Sequence, residues 1–311
     1  MGTTNFPNGV TLDTTKFISN ISGSTIPTAT TAGYNIGCVF TKTNASLGQS
    51  IEWVNQGSTT SCLFVPKGPV SGYGISVAGV RGGTNTAVTE IITGTSLANT
   101  DIAIAGHVKS DDTDTIKSVA MTDDEGEMLI TASADPSTTH GYLWAALRNK
   151  CTPGWDIIYA GTQDCTAATT TAVSVTGVLA TDIAIAGYSA SDDTDTIVKT
   201  ICTANTVTVT HSTTSSTLHS IDYVVLRPRG TFAPSHYIAY AGIHTTVGGA
   251  AAEAITVTGA LATDLAIVVY ETTDDTDTIA KSVVTADTLT VTASADPSTA
   301  HAFAYMLLRE Y

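Results

Sequence analysis

The heptapeptide Thr100-Asp-Ile-Ala-Ile-Ala-Gly106 decides how this chain folds, because it does not occur only once. The same seven residues return at Thr181–Gly187, and the related Thr-Asp-Leu-Ala-Ile-Val-Val occupies Thr263–Val269. The acidic hexapeptide Asp-Asp-Thr-Asp-Thr-Ile is also present three times, beginning at Asp111, Asp192 and Asp274. Its copies are 81 and 82 residues apart. Such constant spacing indicates three copies of one structural unit.

Other positions keep the same register. An Ala-Gly pair ends at Gly79, Gly161 and Gly242. In each copy a histidine precedes an arginine by eight residues, as in His140 and Arg148, His219 and Arg227, and His301 and Arg309. An aromatic residue follows each histidine by four positions: Trp144, Tyr223 and Tyr305. We interpret the aromatic residue as a core anchor between sheets. The arginine is interpreted as a strand-end cap that binds a carbonyl or carboxylate, with ligand binding as the less favoured alternative.

Apolar residues alternate with threonine within a copy, as in Leu289–Ala293. This period of two is typical of half-buried strands. Two segments are apolar on both faces, Leu265–Tyr270 and Phe303–Leu308, and are predicted to be central strands or to lie under a neighbouring domain. Turn signals separate about six strands per copy, which predicts a small β-sandwich. The predicted fold class is all-β, with three tandem small β-sandwich domains after an extended N-terminal arm and a short β-rich segment.

Composition shifts define the predicted boundaries. Residues 1–32 fit no copy and are rich in Thr, Ser, Asn and Gly, so we expect an extended arm. Residues 33–71 are expected to be β-rich, with a diverged partial repeat as one interpretation, because Leu63–Pro69 resembles Val225–Gly230. Three β repeats follow, and Pro/Gly-rich links separate them; they span 72–151, 152–233 and 234–311.

Charge and composition exclude several classes of protein. The 311 residues contain 13 Lys and Arg against 28 Asp and Glu, which gives a net charge of −15. Such a chain is repelled by nucleic acid and by anionic membrane surfaces, so neither is an expected partner. A hydrophobic content of 42% with only 13% charged residues argues against disorder. The sequence contains no apolar stretch of about 18 residues, so no membrane-spanning helix is predicted. Residues 1–8 lack the features of a signal peptide.

Cysteine usage is consistent with reduced structural thiols. The count of five is odd and no Cys-x-x-Cys occurs. A disulfide scaffold and a zinc ribbon are therefore both disfavoured. A Cys151–Cys165 pair is the alternative.

The acidic hexapeptide is the candidate metal motif. Calcium needs six to eight oxygen ligands, and an EF-hand loop needs glycine at its sixth place and glutamate at its twelfth. Counting from Asp112, these places hold Lys117 and Asp123. We therefore interpret the motif as a metal-free Asp-rich turn, with weak calcium binding as the alternative.

The recurring histidines are the candidate catalytic bases. No nucleophile is shared by the three copies, and neither Gly-x-Ser-x-Gly nor His-Glu-x-x-His occurs. We interpret them as turn-side histidines. The sequence predicts no catalytic residue, no metal site and no cofactor, and thus a protein that is not an enzyme.

Two stretches resemble a known class of protein. Thr3-Thr-Asn-Phe-Pro-Asn-Gly-Val-Thr11 resembles the start of many virion proteins of tailed bacteriophages described as head decoration or minor structural proteins. The repeats resemble phage structural modules, here through Thr181-Asp-Ile-Ala184, Tyr223–Pro228 and Asp296–Thr299. This resemblance implies a β-rich protein on the outside of a phage particle, and it lends no catalytic residues.

The expected function is therefore that of a capsid decoration protein, of cement or head-fibre type, on the outer surface of the capsid in the virion. Its expected partner is the lattice of the major capsid protein. The expected capsid-binding arm consists of Asn5, Phe6, Pro7, Asn8, Gly9 and Val10. We expect a homotrimer, or three tandem domains acting as a pseudo-trimer. A tail-fibre or adhesin component that binds a host receptor or glycan is the alternative.

Overall fold

Strands dominate because threonine, valine and isoleucine favour a pleated, half-buried surface. The computed structural model describes residues 18–28, 31–43, 52–66, 73–82, 88–109, 115–124, 126–133, 141–149, 153–190, 195–214, 219–229, 234–246, 250–272, 278–294 and 301–310. Within these residues the chain forms 22 strands and no helix, which confirms the all-β prediction.

A separate four-stranded sheet precedes the repeats. Its strands, in sheet order, are β1 (Ile18–Gly23), β2 (Tyr34–Lys42), β3 (Glu52–Asn55) and β4 (Phe64–Pro66). β1 runs parallel to β2, whereas the other pairs are antiparallel. The sheet has its own small core, which consists of Cys38, Phe40, Trp53, Cys62 and Phe64.

This sheet corrects one boundary prediction and bears on a second. β1 lies inside the residues 1–32 that were expected to be arm, because Ile21 and Ile26 pack against the core of this sheet. Of these isolated apolar residues, Ile21 lies in β1 and Ile26 follows it closely in the sequence. The order β1-β2-β3-β4 also differs from the strand order of the repeats, so it lends no support to a partial repeat in residues 33–71. Their likeness to a repeat is limited to an apolar strand that ends in proline.

The three repeats contain equivalent sets of six strands. The first contains β5 (Tyr73–Gly82), β6 (Thr89–Thr93), β7 (Ile102–Lys109), β8 (Ile116–Met121), β9 (Glu127–Ala132) and β10 (Gly141–Asn149). The second contains β11 (Trp155–Asp164), β12 (Thr170–Ser174), β13 (Ile183–Ala190), β14 (Ile197–Thr203), β15 (Thr206–His211) and β16 (Ser220–Pro228). The third contains β17 (His236–Thr245), β18 (Ala252–Thr256), β19 (Leu265–Thr272), β20 (Ile279–Thr285), β21 (Thr288–Ala293) and β22 (Ala302–Glu310).

Each repeat has two layers. In the first, β5-β10-β7 form an inner sheet and β6-β9-β8 form an outer sheet. The second and third repeats have the same order in both layers. Buried side chains of both sheets fill the space between them, for example Ile130 from the outer sheet and Tyr142 from the inner sheet. This arrangement fits the predicted sandwich.

The repeats are joined into one body by their inner sheets. Trp155 of β11 pairs with Ile75 of β5, and Ile157 of β11 pairs with His236 of β17. The result is one nine-stranded sheet rather than three separate ones. The inner faces share a single buried core, in which Ile104 and Ile185 meet their third-repeat counterpart.

The contacts between repeats close into a cycle. The outer strand β14 packs on β7, β20 packs on β13, and β8 packs on β19, so each repeat covers the next one. The three repeats therefore surround one axis with approximate threefold symmetry. We call the end where β5, β11 and β17 begin the turn end, because the turns 94–101, 175–182 and 257–264 also lie there. The opposite end, where β7, β13 and β19 finish, is the far end.

The recurring glycine and aromatic residue are cross-strand partners. Trp144 pairs directly with Gly79, Tyr223 with Gly161, and Tyr305 with Gly242. Each aromatic ring packs against the buried residues between the two layers, which agrees with the predicted core anchor. The ring lies so close to its glycine that a Cβ on Gly79 would be 2.8 Å from Trp144 Cζ2. The Ala-Gly pair recurs because only glycine leaves space for the ring.

We predict that Gly79→Ala lowers the free energy of unfolding by about 1–3 kcal/mol, because the methyl group must displace the indole ring. Gly187→Ala is the matched control, since a Cβ there meets nothing within 4 Å. Urea unfolding followed by tryptophan fluorescence measures both. Equal stability of the two variants would contradict the cross-strand packing.

Candidate functional site

The most regular polar arrangement holds the turn that leads from the outer to the inner sheet. In the second repeat, Arg227 Nε donates to Asp182 Oδ1 over 2.7 Å, and Arg227 Nη2 donates to Asp182 Oδ2 over 2.6 Å. The same Nη2 donates to the Gly177 carbonyl over 2.8 Å. Asp182 Oδ2 also accepts the backbone N–H of Leu179 at 2.8 Å. We call this arrangement the Arg–Asp clamp, and it confirms the predicted strand-end cap.

The clamp is present in all three repeats. Arg148 binds Asp101 at 2.7 and 2.8 Å, and Arg309 binds Asp264 at 2.7 and 2.6 Å. The carbonyls that these arginines bind belong to Ser96 and Gly259. The clamped backbone N–H groups belong to Ala98 and Leu261, at 3.1 and 2.9 Å. The aspartate is in each case that of the repeated Thr-Asp-Ile/Leu-Ala motif.

A hairpin of the outer sheet ties the same turn from the other layer. Asn205 Oδ1 accepts the Gly177 N–H at 2.7 Å, and Asp287 Oδ1 accepts the Gly259 N–H at 2.6 Å. Asn205 and Asp287 have φ values of 61° and 60°, in the left-handed region that Asn and Asp tolerate. In the first repeat the hairpin is longer, and its Gly126 carbonyl accepts the N–H of Gly94 at 2.8 Å. Sequence reasoning did not find these residues; their signal was an Asn or Asp between two alternating segments.

The clamp is a largely buried ion pair. The arginine side chain is 9% exposed in the second repeat, 16% in the third and 35% in the first, while the carboxylates are at most 1% exposed. The hydrogen bond to Asp182 raises the pKa of Arg227, and that to Asp264 raises the pKa of Arg309. The turns of the second and third repeats are therefore held by arginines that stay charged across the physiological pH range.

An axial cavity of about 130 Å³ lies between the repeats toward the far end. Equivalent residues of the three repeats line it, including a ring of threonines formed by Thr115, Thr196 and Thr278. Gly106 and Gly187 line the first two sides, and Val269 fills the equivalent place on the third. The cavity has space for a few water molecules or one small molecule.

The second repeat carries a buried polar network beside this cavity. The Tyr188 hydroxyl lies 2.7 Å from His211 Nδ1, and the Thr171 hydroxyl lies 2.9 Å from His211 Nε2. Burial lowers the pKa of His211. His219 is fully buried, packs edge-on against Tyr188, and lies 3.7 Å from Asp195. The first and third repeats have alanine in place of His211, so the network belongs to one repeat only.

The recurring histidines differ from their predicted turn-side position. His219 and His301 are both 0% exposed and stand directly before the last strand of their repeat. Aromatic packing explains their burial, since His301 lies edge-on to Tyr270 as His219 does to Tyr188. His140 lies outside the described residues.

Most of the acidic hexapeptide also lies outside the described residues, with Asp195 the exception among its aspartates. Asp195 is buried and accepts a hydrogen bond from Thr213. In the part of the chain that the structure describes, no group of three or more His, Cys, Asp or Glu is placed to hold a metal ion.

Four cysteines lie in the described residues, and all four are buried: Cys38, Cys62, Cys165 and Cys202. Burial raises the pKa of Cys38 to about 11 and that of Cys202 to about 12. Both are protonated at neutral pH and are poor nucleophiles. Cys151 lies outside the described residues.

Asp222 breaks the symmetry where the second and third repeats meet. It occupies the place of Leu143 and Ala304 in the other inner sheets. Its Oδ1 accepts the Thr162 hydroxyl at 2.6 Å, and its Oδ2 accepts the backbone N–H of Ala266 of the third repeat at 3.1 Å. Burial raises the pKa of Asp222 despite these hydrogen bonds, which lower it. The carboxyl group therefore links two repeats.

The arm residues Asn5, Phe6, Pro7, Asn8, Gly9 and Val10 lie outside the described residues, so their role stays a prediction. No helical segment of the described chain has the length and apolar character needed to cross a membrane. Comparisons of this chain with protein-family models, with curated proteins and with solved structures found no match. Conclusions about its function rest on its own residues and geometry.

We predict that Arg227→Met lowers the free energy of unfolding by about 3–5 kcal/mol, because Asp182 is left as an unpaired buried charge. The loss should be smaller for Arg309→Met and smallest for Arg148→Met, in the order of their exposure. Methionine keeps the apolar stem, so packing changes little. Urea unfolding of the three variants gives the order, and equal losses would contradict it.

The pH dependence of the unfolding free energy should reveal the raised pKa of Asp222. A folded-state pKa above the unfolded value means that the folded chain binds the proton more tightly. Stability from this group therefore increases as pH falls through the folded pKa and becomes constant below the unfolded pKa. We predict that the unfolding free energy of the natural chain, measured relative to Asp222→Ala, increases from pH 7 to about pH 4. A difference that does not change with pH would contradict this prediction.

Proposed function

We propose that this chain is a virion structural protein that decorates and stabilises the outer surface of a phage capsid, as a single-chain pseudo-trimer bound at threefold-related positions of the shell. The observation that carries the proposal is the closed cycle of three repeats around one axis. One chain thereby presents the same clamped turn three times at one end of its body. Such a surface suits a partner with three equivalent subunits around an axis, which closed protein lattices provide.

Charge supports a position outside the shell. A net charge of −15 opposes contact with packaged nucleic acid, whose phosphates repel it. Stabilisation follows by mass action, since a protein that binds the assembled lattice and not its free subunits shifts the equilibrium away from disassembly. The N-terminal arm with Phe6 and Val10 is proposed as a second attachment, in which an extended segment adds to an exposed sheet edge.

The same geometry supports a proposal for the oligomeric state. The faces that a homotrimer would bury between subunits are buried here between repeats, in one shared core. We therefore adopt the pseudo-trimer rather than the homotrimer.

The test has three parts. Light scattering of the purified chain is expected to give a monomer of 32.0 kDa. Titration onto undecorated shells of the phage that encodes the chain is expected to saturate at about one chain per three capsid subunits. Electron microscopy of particles labelled at the C-terminus should place the label on the head. Absence of binding to shells, three chains per site, or label on the tail would contradict the proposal, and label on the tail would favour the adhesin alternative.

A further inference from the structure

We infer that the tips of the three clamped turns, Leu179, Leu261 and Ala98, form the surface that docks on the partner, an inference that rests on the proposed function. The partner is a protein surface with three apolar recesses around a threefold axis. Leu179 and Leu261 are 49% and 47% exposed although both are large and apolar. They occupy the same position of equivalent turns, one residue after the buried Val178 and Ala260.

The clamp fixes the backbone of these same residues. The N–H of Leu179 is held by Asp182, and that of Leu261 by Asp264. The arginine of each clamp holds a carbonyl two residues before the tip. An exposed side chain on a rigid backbone loses less conformational freedom when it binds, so it contributes more of its contact energy to affinity. A turn that only connects two sheets does not need a leucine there, because Gly, Asn, Asp or Ser serves that purpose.

Charge at the turn end also favours a protein partner. The turns 94–101, 175–182 and 257–264 contain one charged residue each, an aspartate, and the clamp arginine neutralises it. The acidic hexapeptides follow β7, β13 and β19 in the sequence, beyond the far end of these strands. The outer-sheet hairpins beside the turns carry exposed Asp123, Asp124 and Asp287, so the partner is expected to place basic side chains around its apolar recesses. The aliphatic tips offer no hydrogen-bonding group, which disfavours a glycan as the partner.

The N-terminal sheet is tethered at the same end. β4 ends at Pro66 and β5 begins at Tyr73, at the turn end. The six residues between them, 67–72, span at most about 20–25 Å. The end of β4 therefore lies within this distance of the turn end.

The experiment compares two double variants, in which each residue is replaced by the residue at the equivalent position of another repeat. Leu179→Ala with Leu261→Ala gives both turns the residue of the first repeat, Ala98. Val80→Thr with Ile243→Thr is the control, and it gives both positions the equivalent residue of the second repeat, Thr162. Val80 and Ile243 are 58% and 50% exposed and lie toward the far end. Binding of each to undecorated shells is measured by co-sedimentation, and folding by the melting temperature.

The tip variant is expected to bind at least tenfold more weakly with an unchanged melting temperature, and the control is expected to bind like the natural chain. Natural affinity of the tip variant, or an equal loss in the control, would overturn the inference while leaving the proposed function intact. Failure of the natural chain to bind shells would overturn the proposed function and this inference with it.

Discussion

Burial of three apolar sheet faces against one another is the constraint on which the rest of the structure depends. A three-stranded inner sheet covered by one outer sheet would leave its second face in water. Because three such sheets surround one axis, Ile104, Ile185 and Ile267 become a common core. This explains why strands such as β19 are apolar on both faces, a pattern that a free-standing sandwich does not need. It also makes each repeat dependent on the other two for burial.

Covalent linkage allows this body to depart from threefold symmetry at chosen places. In a homotrimer every substitution near the axis appears three times, so a buried carboxyl group such as Asp222 would bring two more of its kind. Here Leu143 and Ala304 occupy the other two places, and the cost of one buried carboxyl group is offset by two hydrogen bonds. His211 is likewise unique, because Ala132 and Ala293 replace it. The symmetric residues maintain the architecture, and the unique residues distinguish the repeats.

Sequence periodicity predicted the local structure and failed where distant residues meet. Alternation with threonine identified the strands, and the segment Leu265–Tyr270 was expected to be covered, but the pairing of Ile75 with Trp155 has no local signal. The arginine was expected to bind a carbonyl or carboxylate, yet Asp182 could be chosen only once the two strand ends were adjacent. Ile21 and Ile26 were too isolated to indicate a sheet, since their partners are farther along the chain. Burial of His219 depends on Tyr188, which lies on another strand.

A rigid three-point surface joined to a tethered sheet has a consequence for selectivity. A single exposed leucine contributes little binding energy, and one arm must lose conformational entropy before it holds. When several weak contacts engage one surface together, the later ones form at high effective concentration, and the combined affinity greatly exceeds that of any one contact. Under the proposed function, a free capsid subunit would offer one contact only, whereas an assembled lattice would offer three in fixed geometry. The clamps therefore suit a protein that distinguishes an assembled shell from its parts, because only rigid tips keep the spacing on which that distinction depends.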